Sequence, residues 1–268
     1  MKKTIGLIAS VAIAGNLTAQ IDLRNDWEKM ALSPDIKLIK ESVDGVLKNT
    51  YTFNDMGYLT NNGQQYVFDS KGRLTMYFSS ENGKGIYEYN SKGLITEYTK
   101  KNGDEMYRET YVYDASGKMS TCNTSNTTIN FTYDNAGNLT HTNDGFGKLL
   151  AEYVYDSNSR LSMERKNGEV INYTYDSKGR KTNVTTEKNN QKTTETYSYN
   201  AEGAINKYTV TIAENGSQTT ETHNYTVDKN GNWTKDDITI DKNGTKSTVS
   251  ITREIEYFGP ARRLYLLK

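Results

Sequence analysis

The chain reads as an all-β protein: a single-layer antiparallel β-meander of hairpin repeats, twisted or spiralling, with a short N-terminal helix cap. Three observations predict this. First, one ten-residue phrase returns ten times: aromatic, any, aromatic, Asp or Asn, two residues, Gly, any, apolar, Thr or Ser. The copies start at Tyr51, Tyr66, Tyr87, Tyr111, Phe131, Tyr153, Tyr173, Tyr197, Tyr225 and Ile238; self-similarity at a fixed period of about 20 residues marks a repeat architecture. Second, Asn-Gly pairs recur between the phrases, at Asn62-Gly63, Asn82-Gly83, Asn102-Gly103, Asn167-Gly168 and Asn215-Gly216, the strongest short hairpin signal. Third, the two prolines, Pro34 and Pro260, lie outside the repeats, as paired strands require, because proline deletes a ladder donor.

Each position of the phrase has a physical task. The fourth is Asp or Asn in all ten copies, and the seventh is Gly in nine, with Ser159 the exception. That pairing is type I turn chemistry: the side chain caps backbone N–H groups and Gly takes the left-handed conformation of a bulged hairpin. Positions one and three share a face of their strand. Position nine opens the return strand and is apolar in eight copies, with Lys181 and Lys246 breaking the pattern; it is expected to pack across the hairpin on the two aromatics. Strict alternation beyond it reads His141 and Asn143 after Leu139, and Lys235 and Asp237 after Trp233. The apolar band is therefore predicted to be about three residues deep per hairpin on one packed face. The same parity turns Cys122 away from Met119. About 20 strands at roughly 4.8 Å spacing make a strip near 100 Å long if flat. Sheets this wide curl or split, and full closure is possible but not required.

The ends differ from the middle, as repeat stacks require. Residues 1–20 read as a secretory signal: Lys2 and Lys3, then an apolar run from Ile5 to Leu17 that is too short for a membrane span. Residues 21–50 form an N-terminal cap and first hairpin. Within them, Asn25-Asp26-Trp27-Glu28 resembles a capping box, which predicts a helix over 24–32; Ile36–Ser42 and Val46–Phe53 then pair through Asp44-Gly45. The repeats occupy 51–250. Residues 251–268 supply a last strand through Ile251, Arg253, Ile255 and Tyr257, and an apolar close at Leu264–Leu267 expected to cap the far edge.

Composition narrows the function classes. Basic and acidic residues balance at 33 each, and loss of Lys2 and Lys3 leaves 31 against 33, a net charge of −2. There is no basic stripe, so nucleic acid is not an expected partner. The single cysteine forms no internal disulfide, and the simplest reading of Cys122 is a small strand residue. His141 and His223 sit at unrelated phases without a nucleophile pattern, and Glu221 beside His223 reads as a surface ion pair. Each turn offers one carboxylate where calcium wants six or more oxygens. No catalytic residue, metal or cofactor is therefore expected; a carbohydrate-active hydrolase is the least favoured reading.

The phrase resembles the YD repeat of the Rhs family. Tyr66–Thr75 (YVFDSKGRLT) and Tyr173–Thr182 (YTYDSKGRKT) carry the resemblance best, and it covers about residues 51–250. Large members wind such hairpins into a hollow β-shell that encloses a toxic C-terminal domain, or display it on cell surfaces for adhesion. This chain has ten copies, no Asp-Pro-x-Gly-type self-cleavage signature, and about 20 residues after its last repeat. It looks more like the short exported YD-repeat proteins of Bacteroides-like bacteria.

The resemblance and the residues together imply an exported protein, periplasmic, cell-surface or secreted, acting as a non-catalytic binding or adhesion module. A glycan or an envelope protein is the expected partner. The alternative is a structural scaffold or assembly subunit, since open sheet edges invite pairing. Most of the tyrosines are needed as core. The candidate ligand-binding residues are Trp233, Tyr225, Tyr199 and Tyr175. Other room for function lies in the departures from the phrase (Ser159, Lys181, Trp233, Lys246), the linkers around 121–130 and 207–224, and the two ends.

Overall fold

The computed structural model describes residues 24–61, 63–79 and 83–259. The signal segment, the close at Leu264–Leu267, and Asn62 and Asn82 of two predicted turns lie outside them. Among the described residues, one helical turn, α1 (Asp26–Lys29), precedes nineteen strands. These are β1 (Ile36–Val43), β2 (Val46–Thr52), β3 (Gln64–Phe68), β4 (Leu74–Ser79), β5 (Gly83–Tyr89), β6 (Ile95–Asn102), β7 (Glu105–Tyr113), β8 (Met119–Thr124), β9 (Thr128–Tyr133) and β10 (Leu139–Asp144). There follow β11 (Leu149–Tyr155), β12 (Leu161–Lys166), β13 (Glu169–Tyr175), β14 (Lys181–Lys188), β15 (Gln191–Tyr199), β16 (Ile205–Glu214), β17 (Ser217–Val227), β18 (Trp233–Lys242) and β19 (Thr245–Tyr257). All join one antiparallel sheet, and consecutive strands pair from β3 through to β19.

The phrase builds its turn as its chemistry dictates. In the turn of β3 and β4, Asp69 Oδ1 accepts from the N–H groups of Lys71 at 2.9 Å and Arg73 at 3.0 Å, and Gly72 N–H closes on Asp69 C=O at 3.0 Å. Ser159 takes the left-handed conformation that glycine takes elsewhere, with φ 57°. At the opposite rim, Asn167-Gly168 and Asn215-Gly216 both have positive φ at the two central residues, the type I′ geometry that matches strand twist. These hydrogen bonds hold the Asp69, Asp156 and Asp176 carboxyls below the ordinary range, backbone N–H and Arg bonds being the largest causes. A carboxyl whose folded pKa is depressed contributes stability above its unfolded pKa and loses it as pH falls through the folded one. Thermal midpoints are therefore expected to stay level near neutrality and to fall below about pH 4. A midpoint that holds constant down to about pH 2 would contradict this.

Beyond the turn, the structure departs from strict alternation. In all eight hairpins from β3–β4 to β17–β18 a β-bulge shifts the register at position three. Tyr113 pairs with Met119, but Tyr111 pairs with Cys122 and not with Thr121. Position ten is the extra residue, and its hydroxyl has a use: Thr75, Ser120 and Ser162 donate to the position-two carbonyls of Val67, Val112 and Val154 at 3.1–3.2 Å. This accounts for the Thr or Ser there.

The bulge corrects three readings. Cys122 lies on the same face as Met119, and both are buried in one cluster with Tyr111, Phe131, Leu139, Ala151, Tyr153 and Leu161; burial pushes the Cys122 thiol up to about 11. The packed residues after Leu139 and Trp233 are Thr142, and Asp236 with Ile238, rather than His141, Lys235 and Asp237. Position twelve thus adds a second inward row, and the band is deeper than alternation implied. The linkers at 121–130 and 207–224 are also corrected: they are strands, parts of β8, β9, β16 and β17. The tenth copy is not a phrase turn, because β18 and β19 meet through a two-residue Asn243-Gly244 turn.

Neighbouring hairpins are tied by the position-three tyrosines. Tyr89, Tyr113, Tyr133, Tyr175 and Tyr199 donate from their hydroxyls to the position-nine carbonyls of the preceding hairpin, at 2.6–2.8 Å. Where position eight is Arg, the guanidinium binds the turn carboxylate and lies over the next tyrosine ring. Arg73, Arg160 and Arg180 sit 4.3–4.7 Å from the centroids of Tyr89, Tyr175 and Tyr199.

The last strand turns back onto the first. β19 pairs with β1, Ile255 opposite Ile39 and Arg253 opposite Glu41, and β1 pairs with β2. The ladder thus runs from β3 through β19 and β1 to β2. Segment 58–61 follows β2 and bridges to it through Leu59 and Phe53. Among the described residues it forms no ladder with β3, but the Tyr58 ring packs 4.6 Å from Tyr66 and 5.3 Å from Phe68. Among the described residues, the sheet is open at this seam.

Helix α1 is shorter than predicted, and its capping box is present: Asn25 Oδ1 accepts from Glu28 N–H at 2.9 Å and Glu28 Oε2 from Asn25 N–H at 3.0 Å. Trp27 packs on Phe53 and Phe258, its N–H meets Gly57 C=O, and its indole donates to Ile36 C=O at 3.0 Å. Gly57 is obligatory, because a Cβ there would lie 2.6 Å from the Trp27 ring at a φ of +83°. Ser33 N–H donates to Asn232 Oδ1 at 2.8 Å. The N-terminal segment therefore clasps the first phrase turn and the last.

Candidate functional site

The chemistry-bearing side chains gather on the packed face from β13 to β19 and across to β1. Position one of each phrase pairs with position twelve, which sets Tyr197 opposite Tyr208 and Tyr225 opposite Asp236. Rings then run from strand to strand: Tyr197–Tyr208 at 5.1 Å, Tyr208–His223 at 5.5 Å, His223–Tyr225 at 5.9 Å and Tyr225–Trp233 at 6.0 Å. Tyr225 and Trp233, predicted as ligand-binding residues, are brought together at the end of this row. Tyr175 and Tyr199 lie on β13 and β15, each half-buried, hydroxyl-tied and stacked under an arginine.

Two polar pairs are folded into the row. His223 Nδ1 lies 2.7 Å from Asp236 Oδ2, and both side chains are buried. His223 Nε2 faces Glu221 Oε1 at 3.5 Å. The surface ion pair read from the sequence is thus a buried His–Asp contact flanked by Glu221. Sequence reasoning missed Asp236 because strict alternation places it outward. The detectable signal was the recurrence of packing residues at position twelve, among them Tyr77, Tyr98, Val184 and Tyr208. The second pair joins the ends of the chain: Arg253 donates from Nε to Glu41 Oε2 at 3.0 Å, with 9% and 4% of the two side chains exposed. Arg253 also lies 3.5 Å over the Trp233 ring. Burial lowers the Arg253 pKa and the Glu41 carboxylate opposes that. Asp236 Oδ1 and Arg253 Nη1 are buried without a hydrogen-bond partner.

Burial raises the phenol of Tyr225, with the Asp236 charge adding to it, and raises Tyr197, which also donates to Glu195. These phenols stay neutral hydrogen-bond donors at physiological pH. The arrangement offers a rigid row of rings with carboxylates between them. Trp233, one departure from the phrase, is held between Tyr225 and Arg253, and Lys181, another, has its Nζ 5.6 Å from the Tyr197 ring centroid. Among the described residues no helix is long and apolar enough to cross a membrane.

No family model matches the chain, and no curated protein matches it in sequence. Solved structures align with the chain at low similarity. The crystal structure of TcdB2-TccC3-Cdc42 aligns with 81% of this chain at 14% identity and a TM-score of 0.41. TcdB2-TccC3 without its hypervariable C-terminal region aligns with 80% at 14% identity and a TM-score of 0.40. In both cases the alignment spans only 16% of the other chain. A porin-like protein from Bacteroides uniformis aligns over 82% of this chain and 98% of its own, at 14% identity and a TM-score of 0.34.

Proposed function

We propose that this is an exported, non-catalytic YD-repeat binding module that takes a glycan or protein ligand on its packed-face ring row. The observation that carries the reading is the way the half-buried rings of Tyr175, Tyr199, Tyr225 and Trp233 are held. Hydroxyl bonds and guanidinium stacking fix Tyr175 and Tyr199, the Arg253 guanidinium fixes Trp233, and Tyr225 is held between His223 and Trp233, all before any ligand arrives. Rings fixed in advance lose little freedom on binding, and preorganisation converts contact area into affinity. The scaffold alternative depends on free sheet edges, and the pairing of β1 with β19 leaves few of them.

A glycan and peptide array probed with the mature protein tests this. Tyr199→Ala is expected to weaken a hit about tenfold, a loss of about 1.4 kcal/mol. Tyr199→Phe should keep the hit while lowering the melting temperature slightly. An alanine variant that melts early yet binds normally would assign these rings to the core alone.

A further inference from the structure

We infer that a second site, on the opposite face of the sheet, binds a neutral, hydroxyl-rich ligand such as a short saccharide. A groove of about 450 Å³ lies there between β17, β18 and the start of β19, lined by Gln218, Thr220, Thr222, Thr239, Asp241 and Lys246 together with the Asn243-Gly244 turn. Its size suits one or two sugar rings, at the smaller end of ordinary ligand pockets.

The walls are fixed. Gln218 N–H donates to Asn243 Oδ1 at 2.8 Å and Asn243 N–H returns to Gln218 C=O at 3.1 Å, clamping the turn against β17. Gly244 N–H donates to Asp241 Oδ1 at 2.8 Å. Thr222 stands opposite Thr239 and Thr220 opposite Asp241 in the ladder, and β-branched side chains on strands hold few rotamers. The floor therefore presents threonine hydroxyls and methyls at fixed spacing, with Gln218 and Lys246 as donors and Asp241 as acceptor.

Ligand class follows from the charges. One carboxylate and one ammonium face each other, Lys246 Nζ and Asp241 Oδ2 at 3.9 Å, so the groove as a whole favours neither an anion nor a cation. A ligand that both donates and accepts at neighbouring atoms, as a vicinal diol does, satisfies this lining. The place is also where the repeat is abandoned. Lys246 stands where the phrase has an apolar residue, and the Asn243-Gly244 turn replaces the phrase turn.

The test uses the mature chain and saturation-transfer NMR with neutral disaccharides (maltose, cellobiose, lactose and diacetylchitobiose), with sialyllactose as the charged comparison. At least one neutral sugar is expected to bind, and Thr222→Phe or Thr239→Phe, which fill the groove on a solvent-facing strand position, should weaken it about tenfold or more. Val112→Phe, at an exposed position on the distant strand β7, should leave that binding within about twofold. Each variant's melting temperature reports whether it has folded, and Thr239→Val, which keeps the shape and removes the hydroxyl, covers a Phe variant that has not; it too should weaken the sugar. Absence of any neutral-sugar signal, preference for the charged sugar, or binding that ignores the groove variants would overturn the inference. A hit lost on Trp233→Ala but kept in Thr222→Phe would overturn it while leaving the ring-row reading intact.

Discussion

Replacing Arg253 by alanine is expected to lower stability by about 3–5 kcal/mol, the range for breaking a buried ion pair by removing one partner. Glu41 would then lie buried without its cationic partner, with Asn49 as a remaining donor at 2.9 Å. The Trp233 ring would lose the guanidinium lying on it. For a chain of this size the melting temperature should fall on the order of 10 °C, read by calorimetry at neutral pH. The loss should be regional first, because repeat sheets hold each strand mainly through its neighbours. Hydrogen exchange should accelerate in β1, β2 and β19 before β7 to β13. The double variant Glu41→Leu/Arg253→Met is expected to recover much of the loss, since apolar replacements of buried pairs are often neutral. An Arg253→Ala protein that melts with the parent would mean that the pair contributes nothing.

Trp27→Ala is the second large effect. The ring is buried between Phe53 and Phe258 and donates to a buried carbonyl, and deleting such an aromatic costs about 3–5 kcal/mol. Its consequence differs from that of Arg253. Without the ring, α1 loses its hold on Gly57, and the clasp between the first and last phrase turns fails. The seam between segment 58–61 and β3 should then widen and expose strand edges, which promote self-association. Light scattering on Trp27→Ala should show concentration-dependent species that the parent lacks. A variant that scatters like the parent and melts normally would mean that the clasp does not hold the seam.

What the sequence disclosed and what it withheld divide along the range of the interactions. The turns were legible because Asp69 and Gly72 act on backbone within four residues of each other. The helix start at Asn25 and the β1–β2 hairpin through Asp44-Gly45 were legible for the same reason. Cys122 and Asp236 were misread because one extra residue per hairpin exchanges the two faces, and no local composition announces a bulge. The His223–Asp236 contact was hidden with it. The pairing of β1 with β19 joins residues more than 200 positions apart, as in Glu41 and Arg253, and nothing in the repeat phrase encodes it. Of the four predicted site residues, Tyr225 and Trp233 come together, while Tyr175 and Tyr199 stand on separate hairpins along the same face.

Pairing of the first and last strands also frees the fold from its own reading direction. Phe258 N–H donates to Asp35 C=O at 2.7 Å, so the chain leaves the sheet beside the point where it entered. Every neighbour relation in the ladder would survive if residues near these points were joined and the chain were cut instead at a rim turn such as Asn189-Asn190. Order along the polypeptide is then a matter of synthesis, and the sheet itself is a near-cycle with one loose join.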